Sequence, residues 1–187
     1  MIKIFKININ EIPLNEFYEE YNFLSEEGKK LLNKYKSDDD KKRSLAGKIL
    51  LRRALKERYD ISLYDLDYTE RGKPILPFCN FSISHSGEYA VCVVSDKPIG
   101  IDIEKIRDIK SSLKYHFFNN DEASFVNEST DINEAFLKIW TRKEALYKCG
   151  NIDLKDLSSF CVLNENSDYS FKTKKFNNYI ISVCLKS

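Results

Sequence analysis

Three short runs in this chain hold residue types that could do chemistry. The first is Ile99-Gly100-Ile101-Asp102-Ile103-Glu104. If it is a strand, side chains alternate, so Ile99, Ile101 and Ile103 should enter the core while Asp102 and Glu104 emerge together on the other face, ~7 Å apart. Two carboxylates aligned in this way repel each other and call for a cation. Cross-strand lysines on a solvated strand face are the commoner solution; a hard divalent ion with oxygen ligands is the other. The second run is Phe136 to Cys149, a helical pattern that sets Trp140, Glu144 and Lys148 at successive i+4 positions. A surface Glu-Lys pair is the ordinary explanation of such spacing. Lys143, however, falls on the apolar stripe of Phe136, Ile139 and Leu146, so this helix carries charge toward a partly buried surface. Glu144 brought to Asp102 and Glu104 would complete a magnesium site, since Mg²⁺ takes few carboxylates together with water and phosphate oxygens. The third run joins Gly72-Lys73-Pro74 to Asn80-Phe-Ser-Ile-Ser-His-Ser-Gly87. Ser82, Ser84 and Ser86 share one strand face, and His85 ends the other at a glycine turn. Small donors, a lysine and a histidine suit phosphate oxygens. A serine nucleophile activated by His85 would lack the G-x-S-x-G elbow, and a serine-rich strand with a turn histidine is the plain alternative.

Composition narrows the chemistry. The six glycines among 187 residues lie at least 13 positions apart, so neither a G-x-G-x-x-G turn nor a Walker-type loop is present. Any phosphate must be held by side chains. The two histidines, His85 and His116, cannot make an H-E-x-x-H or all-His metal centre, which leaves carboxylates as the metal ligands. Five cysteines without a C-x-x-C read as reduced, structural thiols. The N-terminal Met1 to Asn10 alternates apolar and polar residues and lacks the apolar run of a signal peptide, and no stretch is long enough to span a membrane. A cytoplasmic protein is therefore expected, and the chain length favours a monomer. The net charge of +1 gives no global argument for nucleic acid, although Lys41 to Arg58 holds eight basic residues and one acid, a local field that could face an anion.

The elements that must position these residues are read as follows. A helix follows the N-cap Ser25, and a second runs from about Asp39 to Tyr59. Strands are expected over Phe81 to Ser84, Tyr89 to Ser95 and Ile99 to Glu104. Ser111 to Asn127 is helical or irregular. A helix from Asn133 to about Cys149 has Asp131 and Glu134 spaced like a capping box and Gly150 to end it. Closing strands are expected around Phe160 to Leu163 and Tyr179 to Leu185. A shift of 91 residues aligns Ala54-Leu55 with Ala145-Leu146 and Ile61-x-Leu63-x-Asp65-Leu66 with Ile152-x-Leu154-x-Asp156-Leu157. Shared composition of helix-turn-strand units explains this as well as duplication does. If duplication is real, the fold is α+β, an intramolecular pseudo-dimer of two similar αβ halves, 1–100 and 101–187, with a cleft between them.

Taken in order, G-K-P, F-x-I-S-H-S-G, G-I-D-I-E and W-T-x-K-E-A-x-x-K resemble the Sfp-type 4′-phosphopantetheinyl transferase family, over Gly72 to Gly87, Gly100 to Glu104 and Trp140 to Lys148. The resemblance implies transfer of the phosphopantetheine arm of coenzyme A to a serine of an acyl or peptidyl carrier protein, with Mg²⁺ and release of adenosine 3′,5′-bisphosphate. It implies Asp102, Glu104 and Glu144 as metal ligands, Lys148 on the phosphate that is attacked, and Lys73, Ser84 and His85 on the nucleotide phosphates. It further implies Glu144 as the base toward the carrier serine, directly or through water. Arg43 and Ser44 fit the family's position for the CoA 3′-phosphate, whereas Gly28 and Leu31 stand where some relatives have lysines. Ile103 removes a fourth carboxylate, and the segment Ser111 to Phe118 is implied as the carrier contact. Two other classes remain open on the residues alone. One is an RNA- or acid-binding module built on the basic helix, for which the neutral balance and missing aromatics argue poorly. The other is a CoA or nucleotide phosphohydrolase on the same metal site.

Overall fold

The computed structural model describes residues 2–61, 65–70, 72–109, 117–150, 154–164 and 168–187. The chain forms two compact units, Met1–Asp96 and Lys97–Ser187.

In the first unit β1 (Phe5–Asn8) is followed by three helices, α1 (Leu14–Phe23), α2 (Glu26–Leu32) and α3 (Asp38–Tyr59). The short strands β2 (Asp67–Tyr68) and β3 (Pro74–Ile75) pair with each other. The hairpin β4 (Asn80–Ser86) and β5 (Tyr89–Ser95) then builds a sheet of order β1-β5-β4. Ser25 caps α2 by accepting from Gly28 N at 3.2 Å. The long basic helix α3 begins on Asp38, Asp39 and Asp40 and ends on Lys56 and Arg58, each sign at the favourable end of the dipole. It stops where Asp60 turns left-handed, φ 57°. Its buried face, including Ala46, Leu50 and Ala54, packs with Phe81, Ala90, Cys92 and Val94. The basic run lies on the same helix, with Arg52 and Arg53 turned back onto Glu20 and Glu16 of α1.

The second unit contains β6 (Ile99–Lys105), α4 (Asn120–Asn127), α5 (Ile132–Cys149), a 3₁₀ turn over Leu154–Ser159, β7 (Tyr169–Phe176) and β8 (Tyr179–Lys186), with sheet order β6-β8-β7. Both three-stranded sheets are antiparallel. In each unit a first strand pairs with the last, and the penultimate strand lies on the last strand's far side. The two units thus repeat one topology, an α+β plan in which a long helix precedes a closing hairpin.

Two expectations need correction. Phe160 to Leu163 is not a strand, because side chains take its backbone groups. Lys143 Nζ donates to the Leu157 and Phe160 carbonyls, Arg142 Nη1 donates to those of Val162 and Leu163 at 2.8 and 2.9 Å, and Val162 N donates to Glu122 Oε1 at 2.8 Å. The strand β7 has no counterpart among the expected elements. Asp131 does cap α5 through Glu134 N at 2.9 Å, but Glu134 turns instead to Lys138 and Lys175, so no reciprocal box forms there. The complete box is at α4, between Asn119 and Glu122. Both faces of β6 are covered over Ile99 to Ile103. Ile99, Ile101 and Ile103 are buried as expected, yet Asp102 is buried too, at 4% exposure, because its face of the strand looks toward α5 and not to solvent. All five cysteines are free thiols, four of them buried. Among the described residues no helix is long and apolar enough to cross a membrane.

Candidate active site

Gly100 decides how closely α5 approaches β6. A Cβ at this position would stand 1.9 Å from the Ala145 carbonyl oxygen and 2.6 Å from Cys149 N, so only glycine admits the helix backbone here. Asp102 is two residues farther along the same strand face, and Glu144 and Lys148 flank the contact on the helix. Lys148 Nζ consequently donates to Asp102 Oδ1 at 2.7 Å. Burial raises the Glu144 carboxyl above its ordinary value, and the charges of Asp102 and Glu104 push it up further, while Lys148 opposes them. Three carboxylates and one ammonium therefore share a single electrostatic neighbourhood. Glu104, half-buried, lies 3.9 Å from Arg107 Nη2.

The donor set is chemically suited to a hard cation, although no group of three His, Cys, Asp or Glu side chains is assembled at ligating distance among the described residues. Magnesium does not require one, because it commonly binds through one or two carboxylates and completes its shell with water and phosphate oxygens.

One residue along from Glu144, Lys143 is fully buried and pairs with the equally buried Glu122 at 2.8 Å. Glu122 also accepts from Asn119 N at 2.9 Å and Val162 N at 2.8 Å. The stripe position of Lys143 had signalled a buried charge; its partner Glu122 could have been suspected from the N-x-x-E spacing with Asn119. Trp140, one turn before Glu144, stacks on Phe136 at 6.4 Å and meets Phe117 at 5.6 Å.

In the first unit Ser84 and His85 lie on β4, and Arg43 and Ser44 on α3. Arg43 reaches across to the turn that follows His85, Nη1 to the Gly87 carbonyl at 3.5 Å, and holds Asp40 Oδ1 at 2.7 Å. Ser44 accepts from Lys48 Nζ at 3.0 Å. Lys73 is exposed beyond Gly72, whose φ of 77° makes the turn, and its backbone N donates to Thr69 Oγ1 at 3.1 Å. Gly28 is filled in by Tyr68, whose Oη would stand 2.7 Å from a Cβ there. Residues 111–116 of the implied carrier contact, His116 among them, lie outside the described residues; Phe118 is core and Phe117 packs on Trp140.

A family profile described as the 4′-phosphopantetheinyl transferase superfamily matches residues 98–184. Another, for the N-terminal part of 4′-phosphopantetheinyl transferase, matches residues 13–97. The 4′-phosphopantetheinyl transferase Sfp of Bacillus subtilis (strain 168) is 30% identical over 155 residues, a match that takes in 79% of this chain and 69% of that protein. The chain belongs to the 4′-phosphopantetheinyl transferase superfamily. It is an enzyme of the Sfp type, from a family that takes coenzyme A as substrate. A 4′-phosphopantetheinyl transferase, gsp, of Aneurinibacillus migulanus is 32% identical over 154 residues, 79% of this chain and 65% of that protein. The human L-aminoadipate-semialdehyde dehydrogenase-phosphopantetheinyl transferase is 30% identical over 120 residues, 58% of this chain and 39% of its own length. Every motif of the second unit, Asp102 and Glu104 on β6 and Trp140 to Lys148 on α5, lies inside the 98–184 match.

Proposed function

We propose that this transferase moves the 4′-phosphopantetheine group of coenzyme A to a serine hydroxyl of an acyl or peptidyl carrier protein and releases adenosine 3′,5′-bisphosphate. The observation that carries the reading is the approach of α5 to β6 at Gly100, which gathers Asp102, Glu144 and Lys148 at one place. Asp102, Glu104 and Glu144 would hold Mg²⁺, which when bound neutralises the phosphate charge and fixes the pyrophosphate. Lys148 offers its ammonium to the oxygens of the phosphate under attack, where charge builds up. Glu144 takes the proton of the serine hydroxyl, directly or through water, as the side-chain base within reach of the reacting centre. Lys73, Ser84, His85, Arg43 and Ser44 are assigned to the phosphates of the nucleotide end, because ammonium, guanidinium and hydroxyl donors are the groups that remain when no glycine loop exists.

The repeated topology supports the further proposals of a duplicated origin and of association of the halves, 1–100 and 101–187, as an intramolecular pseudo-dimer. The carrier is proposed to engage around Ser111 to Phe118, of which Phe117 packs on Trp140. A cytoplasmic monomer completes the proposal.

The test is incubation with CoA, Mg²⁺ and a panel of apo-carriers from fatty-acid, polyketide and peptide assembly. Intact mass should rise by one phosphopantetheine on at least one carrier, and Glu144→Gln and Asp102→Asn should abolish the gain while far-UV circular dichroism is unchanged. No gain on any carrier, or CoA hydrolysis without a carrier, would overturn the reading.

A further inference from the structure

Beneath the Asp102 layer a row of hydroxyls joins the sheet to α5. Arg142 Nε donates to Thr173 Oγ1 at 2.8 Å, Thr173 Oγ1 lies 2.9 Å from Ser182 Oγ, Ser182 Oγ lies 2.7 Å from Thr141 Oγ1, and Thr141 Oγ1 is 2.8 Å from the Leu137 carbonyl. Thr141 and Ser182 are fully buried. The direction of every proton follows from the two ends. A guanidinium can only donate and a carbonyl can only accept. Thr173 accepts from Arg142, so its own proton is free for Ser182. Thr141 spends its proton on Leu137, so it must accept from Ser182. Ser182, with one proton, therefore donates to Thr141 and accepts from Thr173. Each hydroxyl donates once and accepts at least once, and the row has a single polarity from β7 through β8 into the helix.

The position of this row matters. Ser182 is the direct cross-strand partner of Asp102 in the β6–β8 register, and Thr173 is the partner of Ser182 on β7. Thr141 lies one turn before Glu144 and two before Lys148 on α5. We infer that Thr173, Ser182 and Thr141, oriented by Arg142, are positioning residues that fix the depth and rotation of α5 over the Asp102 layer, and so aim Glu144 and Lys148 at the reacting phosphate. This rests on the transferase reading. None of the three hydroxyls is assigned to substrate; their contribution passes through the helix. An apolar contact at the same place would hold the helix against the sheet equally well but would let it slide, because dispersion has no direction while a hydrogen bond weakens steeply with misalignment.

Thr173 provides the cleanest test, since it is two strands away from Asp102. Thr173→Val keeps the shape and deletes the hydroxyl; Thr173→Ser keeps the hydroxyl and deletes a methyl. With wild type active on a carrier, Thr173→Val should lower kcat on the order of tenfold, the scale on which small displacements of catalytic groups act. The KM for CoA should stay within about twofold of wild type if ground-state binding is untouched, and Thr173→Ser should restore kcat. Thr173→Val combined with Ser182→Ala should lower kcat no further than the worse single variant, because both break one row. Amide hydrogen exchange supplies a readout independent of turnover: the amides of residues 141–148 should exchange faster in Thr173→Val and return to wild-type rates in Thr173→Ser. A wild-type kcat in Thr173→Val, or unaltered exchange in that helix segment, overturns the inference. Loss of transfer in wild type itself would overturn the functional reading instead, and the exchange result would still decide the positioning role.

Discussion

Replacing Lys143 with methionine should be among the most damaging single changes outside the reacting groups. The four-carbon stem of the lysine is matched closely by the methionine side chain, so little cavity forms and the loss is confined to the ammonium and the hydrogen bonds it donates. In wild type the ammonium pairs with Glu122 at 2.8 Å and donates to the Leu157 and Phe160 carbonyls, all inside a region where both charged side chains have zero exposure. In Lys143→Met the Glu122 carboxylate keeps the Asn119 and Val162 amides but has no countercharge. Orphaning one partner of a buried ion pair costs about 3–5 kcal/mol, a large share of the roughly 5–15 kcal/mol that holds an ordinary domain together. With a urea m-value of about 2 kcal/mol per molar, the midpoint should fall by about 1.5–2.5 M. Urea titration followed by circular dichroism measures this directly. The double variant Lys143→Met with Glu122→Gln removes the stranded charge and should recover about 2 kcal/mol or more, at the expense of part of the Asn119 cap. A loss below about 1 kcal/mol in the single variant, or a double variant as unstable as the two singles summed, would refute a tightly coupled buried pair.

Two further outcomes follow from the site. Gly100→Ala forces α5 away from β6, since the new methyl would overlap the Ala145 carbonyl; stability should drop by about 3 kcal/mol and transfer should fall with it, both readable from urea melts and initial rates. Glu144→Gln should be more stable than wild type near neutral pH in the absence of metal. Its carboxyl pKa is raised above 4.5 by burial and by Asp102 and Glu104, so the folded state binds the proton more tightly than the unfolded chain, and wild-type stability falls as pH rises through the window from 4.5 to that higher value. The variant lacks this loss. Its advantage in thermal melts should be present near neutral pH and disappear below pH 4.5, and equal melting temperatures at neutral pH would contradict the proposed crowding of carboxylates.

Much of this architecture could be read from the residues, and the exceptions have physical causes. The helix α5 was legible because its apolar stripe, its Asp131 cap and its Gly150 stop agree with one another. The strand β5 was legible because it is a continuous apolar run bounded by turns. The edge strand β7 was not, since Lys172, Lys174 and Lys175 leave only Tyr169 and Phe171 to mark a buried face. Such lysines are what an exposed strand edge favours. The apolar run Phe160 to Leu163 looked like a strand because nothing in its own sequence announces that Arg142, Lys143 and Glu122 satisfy its backbone. The first helix, α1, was also missed. Its Pro13 offers no side-chain cap, although Phe17, in the core, and Tyr21, four residues on and half-buried against it, carried a helical signal. At the site, residue types and order pointed to Asp102, Glu144 and Lys148. That Asp102 is buried against the helix depended on Gly100, whose importance lies in the absence of a side chain and shows only when two backbones are placed together.

The order of strands has a consequence for how the chain acquires its structure during synthesis. In both units the strand made first lies beside the strand made last, so β1 must wait for β5 and β6 for β8. Long-range pairings of this kind are slow to form, because the loop between the partners is closed before any contact repays it. Helices α1 to α3 can form as they emerge from the ribosome, but their sheet cannot close until Tyr89–Ser95 has been translated. The second unit in turn waits for Tyr179–Lys186. Each sheet thus closes only with its own final strand, and a nascent chain that stops short of β8 holds Asp102 on a strand that lacks its hydrogen-bonding partner strand.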